Sequence, residues 1–257
     1  KLVNKPPKRK FIPKKKVVEN FWISEYMNDN DYKIVETKRN GDCLFDAVYK
    51  ATGIEIRDQR MAISRIINKD VFLHFKELYS MAEKENDDEM LEEFSFMETI
   101  DDEDGLRDYV LLPEFWANSW AIGHIESHFN IKLVVFSITN WERKNLSNII
   151  QCGDMVVSKQ TPVCKICHMN KEYYDKTKNN PHENNQGNHV WEDKNTEESI
   201  EPSKYVMVSY DGTHYKLISY KNKKSFDTLP DLVKEKIKST CSKNGKLVGT
   251  YGKIKDF

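Results

Sequence analysis

The sequence contains few cysteines and no long apolar run. Its 257 residues include five cysteines, an odd number unevenly spread, and one of them, Cys241, lies in a Lys-rich stretch where it looks incidental. This pattern differs from the disulfide framework of small secreted proteins and predicts a reducing compartment with at least one free thiol. No apolar stretch approaches the length that crosses a bilayer, and no secretory signal pattern is visible. These absences predict a cytoplasmic protein.

The remaining composition is that of a folded domain. Hydrophobic residues make up 39% of the chain and aromatic residues 11%, which is enough to build a core. The 32% of charged residues fits a solvated surface. Lys and Asn are abundant, which favours an AT-rich genome such as that of a large DNA virus, and a viral protein of this kind would act in the host cytoplasm.

The formal net charge of -1 conceals separate basic and acidic segments. Residues 1–18 are rich in Lys and Pro and are interpreted as a basic linker; nucleic-acid contact is the alternative, and it predicts binding that weakens with salt. Residues 83–104 carry twelve acidic residues against one Lys, and their apolar members predict that part of this stretch packs. We predict one domain over 19–240, with a polar insertion at 140–202, followed by a basic tail at 241–257.

Helical spacing of apolar residues is clear in two places. A helix is predicted from Cys43 to Ala51, with Gly53 at the position of a left-handed helix stop. Asp58 is predicted to cap the next helix, whose apolar spacing continues to Met81.

Two further stretches predict strands. The apolar run 131–138 is typical of a central strand that is covered on both faces. Residues 205–220 predict a hairpin that turns at Asp211-Gly212-Thr213, with His214 opening its second strand. Together with the helices, these strands predict an α+β fold in which helices pack on a small, mostly antiparallel sheet.

Cys43 stands between a turn and a helix. The turn Asn40-Gly41-Asp42 precedes it, so the thiol lies at the helix N-terminus, where the helix dipole favours the thiolate and a substrate can reach it. Gly41 is expected to allow close backbone approach to that substrate.

His214 supplies the second group of a possible catalytic pair. A thiol at a helix N-terminus with a histidine on a distant strand is the arrangement of papain-like cysteine proteases, in which sulfur is the nucleophile and imidazole the general base and acid. In such a site the turn before the cysteine, here Asn40 to Asp42, directs backbone N–H groups at the carbonyl oxygen and forms an oxyanion hole.

Three blocks of sequence, in order, resemble the ovarian-tumour (OTU) family of deubiquitinating cysteine proteases. "NGDCLFDAVYKATG" resembles its Asp-Gly-x-Cys-Leu-Phe-x-Ala signature, and "YDGTHYKLI" resembles its strand, turn and Gly-x-His-Tyr. Between them, "FWANSWAIGHIESHFNIKLVVF" resembles its block of Trp-Gly/Ala, helix and central strand. The resemblance covers roughly residues 30 to 220, apart from the polar insertion.

The resemblance implies a papain-like OTU fold and a deubiquitinase. The reaction would be hydrolysis of the isopeptide bond at the C-terminus of ubiquitin, of polyubiquitin or of a ubiquitin-like modifier, with no cofactor. Cys43 would be the nucleophile and His214 the base. The acidic stretch 83–104 and the segment before Cys43 are candidate contact surfaces, because ubiquitin's binding face is basic.

Two departures from the family pattern affect the site. Asn40 stands where the family usually has Asp. Lys216 stands where the family often has an Asn or Asp that orients the histidine, and a lysine has no acceptor for that purpose. Asp211 and Asn40 are the candidates to orient His214. The alternative function is a ubiquitin-binding module with an OTU fold and weak or absent catalysis.

A Cys-x-x-Cys pair, Cys164 and Cys167, is a weak zinc candidate. Cys152 lies upstream, and His182 and His189 lie downstream, but their spacing differs from that of a usual zinc finger. Solvent-exposed residues of the insertion are the alternative interpretation, and any zinc here would be structural.

Overall fold

The computed structural model describes residues 21–153, 163–164, 171–177, 189, 191–192 and 201–254. Within them, ten α-helices are α1 (Trp22–Met27), α2 (Cys43–Thr52), α3 (Ile56–Ile66), α4 (Lys69–Glu85), α5 (Asp88–Phe94), α6 (Glu103–Val110), α7 (Ser119–Phe129), α8 (Ile138–Glu142), α9 (Lys171–Thr177) and α10 (Asp231–Thr240). The strands are β1 (Tyr32–Val35), β2 (Ile131–Ser137), β3 (Val163–Cys164), β4 (Trp191–Glu192), β5 (Lys204–Tyr210), β6 (Tyr215–Tyr220), β7 (Ser242–Lys243) and β8 (Lys246–Leu247). Three 3-10 segments complete the elements: Ser95–Glu98, Leu146–Asn148 and Gly249–Lys253.

Four strands form the main sheet, in the order β1-β6-β5-β2. The pairs β1/β6 and β5/β6 are antiparallel, whereas β2 and β5 are parallel. The predicted α+β fold, with helices around a small sheet, is confirmed; its papain-like character stays a prediction.

The apolar strand β2 is buried along its whole length but lies at an edge of the sheet. The prediction that both faces are covered is confirmed, and the prediction of a central position is wrong. The edge is closed by a loop, since Ser137 donates its N–H to Ile149 (2.6 Å) and Gln151 donates to Val135 (2.9 Å). A continuous apolar run reports burial on two faces, and it cannot distinguish a neighbouring strand from a loop that covers the edge.

Two hydrophobic cores lie on the two faces of this sheet. Leu133 and Val135 of β2 belong to the core that also contains Cys43 and the helices around α2. Val134 and Phe136 belong to the second core, with α1 and α10. Alternate residues of one strand therefore join both cores, as the period of a β-strand requires.

The helix predicted to start near Asp58 and to run to Met81 is two helices. α3 begins at Ile56 without a side-chain cap, so the prediction that Asp58 caps it is wrong. The backbone turns extended at Ile67 and Asn68. Asn68 then caps α4 by accepting the N–H of Val71 at 2.9 Å. An Asn cap offers the backbone a local alternative to continuing the helix.

The segment after α10 packs into the second core. Cys241 forms a disulfide with Cys152, 89 positions earlier, so its interpretation as incidental is wrong. Tyr251 is fully buried, and Ile254 is nearly so. The compartment and the division into domain and tail stay predictions.

Parts of the predicted segments can be compared with the structure. The acidic stretch contains α5, and its Phe94 and Met97 are buried, as expected. The insertion is packed at its start, where Ile149 and Ile150 are buried. The basic linker and most of the remaining insertion lie outside the described residues. In the part that is described, no helix is long and apolar enough to span a membrane.

Candidate active site

The turn before Cys43 is closed by Asn40. The side-chain oxygen of Asn40 accepts the N–H of Asp42 at 3.1 Å, and its carbonyl accepts the N–H of Cys43, also at 3.1 Å. An Asn that bonds the backbone two residues on is a common way to hold a turn. Helix α2 therefore starts at Cys43, and it ends at Gly53 in a left-handed conformation (φ 81°), so both predicted ends are close to those observed.

Cys43 lies against the strand that follows His214. Its sulfur accepts the N–H of Tyr215 at 3.5 Å, across 172 positions of sequence. The sheet thus brings the predicted nucleophile beside the segment that carries the predicted base. The residue Cys43 is only 2% exposed, however, so the expectation that its thiol is open to a substrate is wrong for this conformation.

Burial decides the protonation of both groups. It raises the pKa of the Cys43 thiol, and the charge of Asp211 raises it further, while the N–H of Tyr215 lowers it. Burial also lowers the pKa of His214; Asp211 opposes that shift and Lys216 reinforces it. The neutral thiol and the neutral imidazole are therefore the favoured resting forms, contrary to the thiolate expected from the helix dipole.

The imidazole of His214 contacts Thr37, a residue that sequence reasoning missed. Its Nε2 lies 3.2 Å from the Thr37 hydroxyl oxygen. The hydroxyl also donates to the carbonyl of Tyr215. Thr37 follows β1, where its only sequence signal is alternation with the inward-facing strand residues, and that pattern does not identify a partner 177 positions away.

Asp211 organises the turn of the hairpin. One of its carboxylate oxygens accepts the N–H of Thr213 at 2.8 Å and the N–H of His214 at 2.7 Å. This second bond holds the His214 backbone in the turn, which is why β6 starts at Tyr215, one residue later than predicted. Asp211 acts on His214 through the backbone and through its charge.

Lys216 of β6 forms an ion pair with the residue that follows the neighbouring strand β1. Its Nζ lies 3.1 Å from a carboxylate oxygen of Glu36. The departure noted in the sequence therefore has a structural counterpart: the lysine pairs with a carboxylate, and its charge lowers the pKa of His214.

Arg60 anchors the turn before Cys43, and it too was missed. Its guanidinium donates to Asp42 at 2.7 and 3.0 Å, to the carbonyl of Val110 at 2.7 Å and to that of Phe115 at 3.2 Å. The side chain is almost fully buried. A sequence signal did exist, because Arg60 falls within the apolar spacing of Ile56 and Ile63, where a charge needs a buried partner.

Gly41 fits against the same loop. A Cβ on Gly41 would lie 2.1 Å from the carbonyl oxygen of Pro113 and 2.7 Å from that of Phe115. The absence of a side chain therefore serves packing within the protein. Close approach of a substrate to Gly41 stays a prediction.

The zinc candidate is described only in part. The sulfur of Cys164 lies 3.3 Å from Nδ1 of His189, next to the paired strands β3 and β4. Cys152 is in a disulfide, and Cys167 and His182 lie outside the described residues. No cluster of three or more potential metal ligands occurs among the residues that the structure describes. Zinc at Cys164 and Cys167 stays a prediction.

Comparison with solved structures gives a distant likeness. No family model matches the sequence, and no curated protein does. Among solved structures, the chain is similar to an ovarian tumor (OTU) domain in complex with ubiquitin, with 15% identity, 81% of this chain and 83% of that chain covered, and a TM-score of 0.39. A likeness this distant does not assign a family.

Proposed function

We propose that this protein is a cysteine-type isopeptidase that cleaves at the C-terminus of ubiquitin or of a ubiquitin-like modifier. Cys43 is the nucleophile and His214 the general base and acid. The observation that carries the proposal is the contact between the Cys43 sulfur and the N–H of Tyr215, since it joins the helix of the thiol to the residue that directly follows His214. The sequence resemblance to OTU proteases supplies the substrate class.

The proposed proton transfers start from a neutral thiol and a neutral imidazole, the forms that the directions of the pKa shifts favour. The imidazole of His214 takes the thiol proton of Cys43 as sulfur attacks the isopeptide carbonyl, and the imidazolium then gives that proton to the departing lysine amine. The resulting thioester is hydrolysed by water, which returns the thiol. Because the thiol is buried, substrate must displace whatever covers the sulfur before the attack.

The oxyanion hole is proposed in the loop of Asn40, Gly41 and Asp42. In the resting conformation the N–H groups of Asp42 and Cys43 are bonded to Asn40. A shift of Asn40 on substrate binding would release these donors toward the carbonyl oxygen. Asn40 therefore has a part in closing and opening the loop, in addition to any direct contact.

A ubiquitin-binding module with weak or absent catalysis is the second candidate. The buried thiol of Cys43, its raised pKa and the lysine at position 216 favour it. The two candidates share ubiquitin, or polyubiquitin, as partner. Nucleic acid and membranes are not proposed as partners, no cofactor is required, and the cytoplasm, or a host cytoplasm for a viral source, is the proposed location.

Release of a fluorophore from the C-terminus of ubiquitin tests the enzyme. Cys43→Ala should abolish turnover, and His214→Ala should lower it by about a hundredfold or more, because general acid–base catalysis contributes that much. Cys164→Ala is the matched control, a second buried free cysteine that should leave turnover near the wild-type level.

A ubiquitin with an electrophile at its C-terminus separates the two candidates. Covalent labelling of wild type that is lost in Cys43→Ala supports the enzyme. Tight ubiquitin binding with neither labelling nor turnover would overturn the enzyme proposal and leave the binding module.

A further inference from the structure

We propose that Thr37 positions the imidazole of His214, a role that OTU proteases often give to the residue at the place of Lys216. This inference deepens the proposed function, since it assigns the group that sets the tautomer and the orientation of His214. It rests on the hydrogen bonds of one buried hydroxyl.

The hydroxyl of Thr37 has a single proton, and the structure assigns that proton. The hydroxyl donates to the carbonyl of Tyr215, which can only accept. Toward His214 the hydroxyl is therefore the acceptor, and Nε2, at 3.2 Å, carries the proton that it accepts. Nδ1 is left with a lone pair, which is the form that a general base for Cys43 needs.

Thr37 is buried and shares a partner, Tyr215, with Cys43. The residue is 7% exposed, so water competes little for the hydroxyl. Its carbonyl partner, Tyr215, is the residue whose N–H bonds the Cys43 sulfur. The peptide groups on the two sides of Tyr215 thus contact Thr37 and Cys43, and a shift of either contact would move the imidazole relative to the thiol.

The candidates from the sequence have other partners. Asp211 accepts backbone N–H groups of Thr213 and His214, and Asn40 accepts that of Asp42. Lys216 pairs with Glu36 and has no acceptor to offer. Among the described residues, Thr37 is the one whose hydrogen bond to the His214 ring is observed.

Replacing Thr37 in the full chain tests the role. Thr37→Val keeps the shape of the side chain and removes the acceptor, and kcat should fall by about tenfold to a hundredfold with a smaller change in KM. Thr37→Ser restores the hydroxyl and should recover most of that loss. Thr52→Val is the matched control, because the Thr52 hydroxyl also donates to a backbone carbonyl, that of Val48 in α2.

A rescue variant makes the test specific. Adding Lys216→Asn to Thr37→Val supplies an amide oxygen two residues after His214, and it should regain part of the lost kcat. Loss through misfolding would not be regained in this way. Unchanged kcat in Thr37→Val, with wild-type turnover dependent on Cys43, would overturn the role of Thr37.

Nitrogen NMR of the His214 ring tests the inference independently of turnover. The wild type should show the Nε2–H tautomer, and Thr37→Val should show a mixture of tautomers. This measurement distinguishes the two failures: if ubiquitin is not cleaved, the proposed function fails, while the tautomer still supports or overturns the positioning by Thr37. The same tautomer in both proteins would overturn it.

Discussion

Two cysteine–histidine pairs occur among the residues that the structure describes, and they are held in different ways. Cys164, in the two-residue strand β3, is in direct contact with His189 at 3.3 Å, just before the two-residue strand β4. Cys43 and His214 are joined through Tyr215, at the start of a ten-residue helix and beside a four-stranded sheet. Proximity of sulfur and imidazole is therefore not what distinguishes the proposed catalytic pair. The pair of Cys43 and His214 differs in three respects: Cys43 starts a helix, the His214 ring contacts Thr37, and Arg60 anchors the loop before Cys43.

Loss of the ion pair between Arg60 and Asp42, which anchors the loop before Cys43, should have the largest effect on stability. Arg60→Met leaves Asp42 without its buried partner and should lower the free energy of unfolding by about 3–5 kcal/mol, measured by urea denaturation. The control is Lys171→Met, which removes an ion pair with Asp175 that is half-exposed and should cost at most about 1 kcal/mol. Equal effects of the two changes would contradict an anchoring role for Arg60.

A side chain at Gly41 should have the next largest effect. Gly41→Ala forces the loop away from Pro113 and should cost about 1–3 kcal/mol of stability together with turnover. Gly53→Ala is matched to it at the other end of α2, where the new Cβ meets nothing within 4 Å and only the left-handed backbone is strained. It should lose stability and keep turnover. Normal turnover in Gly41→Ala would separate loop packing from catalysis.

The smallest expected effect is a shift in pH dependence. Because the pKa of the Cys43 thiol is raised, its alkylation by iodoacetamide should rise with pH through a midpoint above the ordinary value of about 8.5. The acid limb of turnover should lie below about 6.5, since the pKa of His214 is lowered. Peptide mapping by mass spectrometry assigns the alkylated residue.

Asp211→Asn sharpens this measurement. The amide keeps an acceptor for the turn and removes the negative charge that raises the pKa of Cys43, so the alkylation midpoint should move to lower pH. A midpoint that stays in place would assign the raised pKa to burial alone. The two pKa shifts affect stability in opposite pH directions. Because the pKa of the Cys43 thiol is raised, the folded protein loses stability as the pH rises through that pKa, whereas the lowered pKa of His214 costs stability as the pH falls through it.

The sequence predicts the local parts of this structure well. Helix α2 with its stop at Gly53, and the turn around Asp211, follow from signals within a few residues. Thr37 and Arg60 were missed because their partners lie 177 and 18 to 55 positions away. Hydrophobic spacing records which side chains are buried, and it does not record which polar groups meet. The disulfide between Cys152 and Cys241 escaped prediction for the same reason.

The contact between Thr250 and Cys152 has a consequence for synthesis of the chain. Thr250 donates its N–H to the carbonyl of Cys152 and its hydroxyl accepts from Lys132 of β2, 118 positions earlier. A chain that leaves the ribosome from its N-terminus cannot form these contacts until it has been made as far as Thr250. Contacts across such distances are late and slow to form. The second core, which includes Tyr251 and Ile254, can therefore be completed only after this late part of the chain is made, whereas the edge of β2 can close earlier through Ile149 and Gln151.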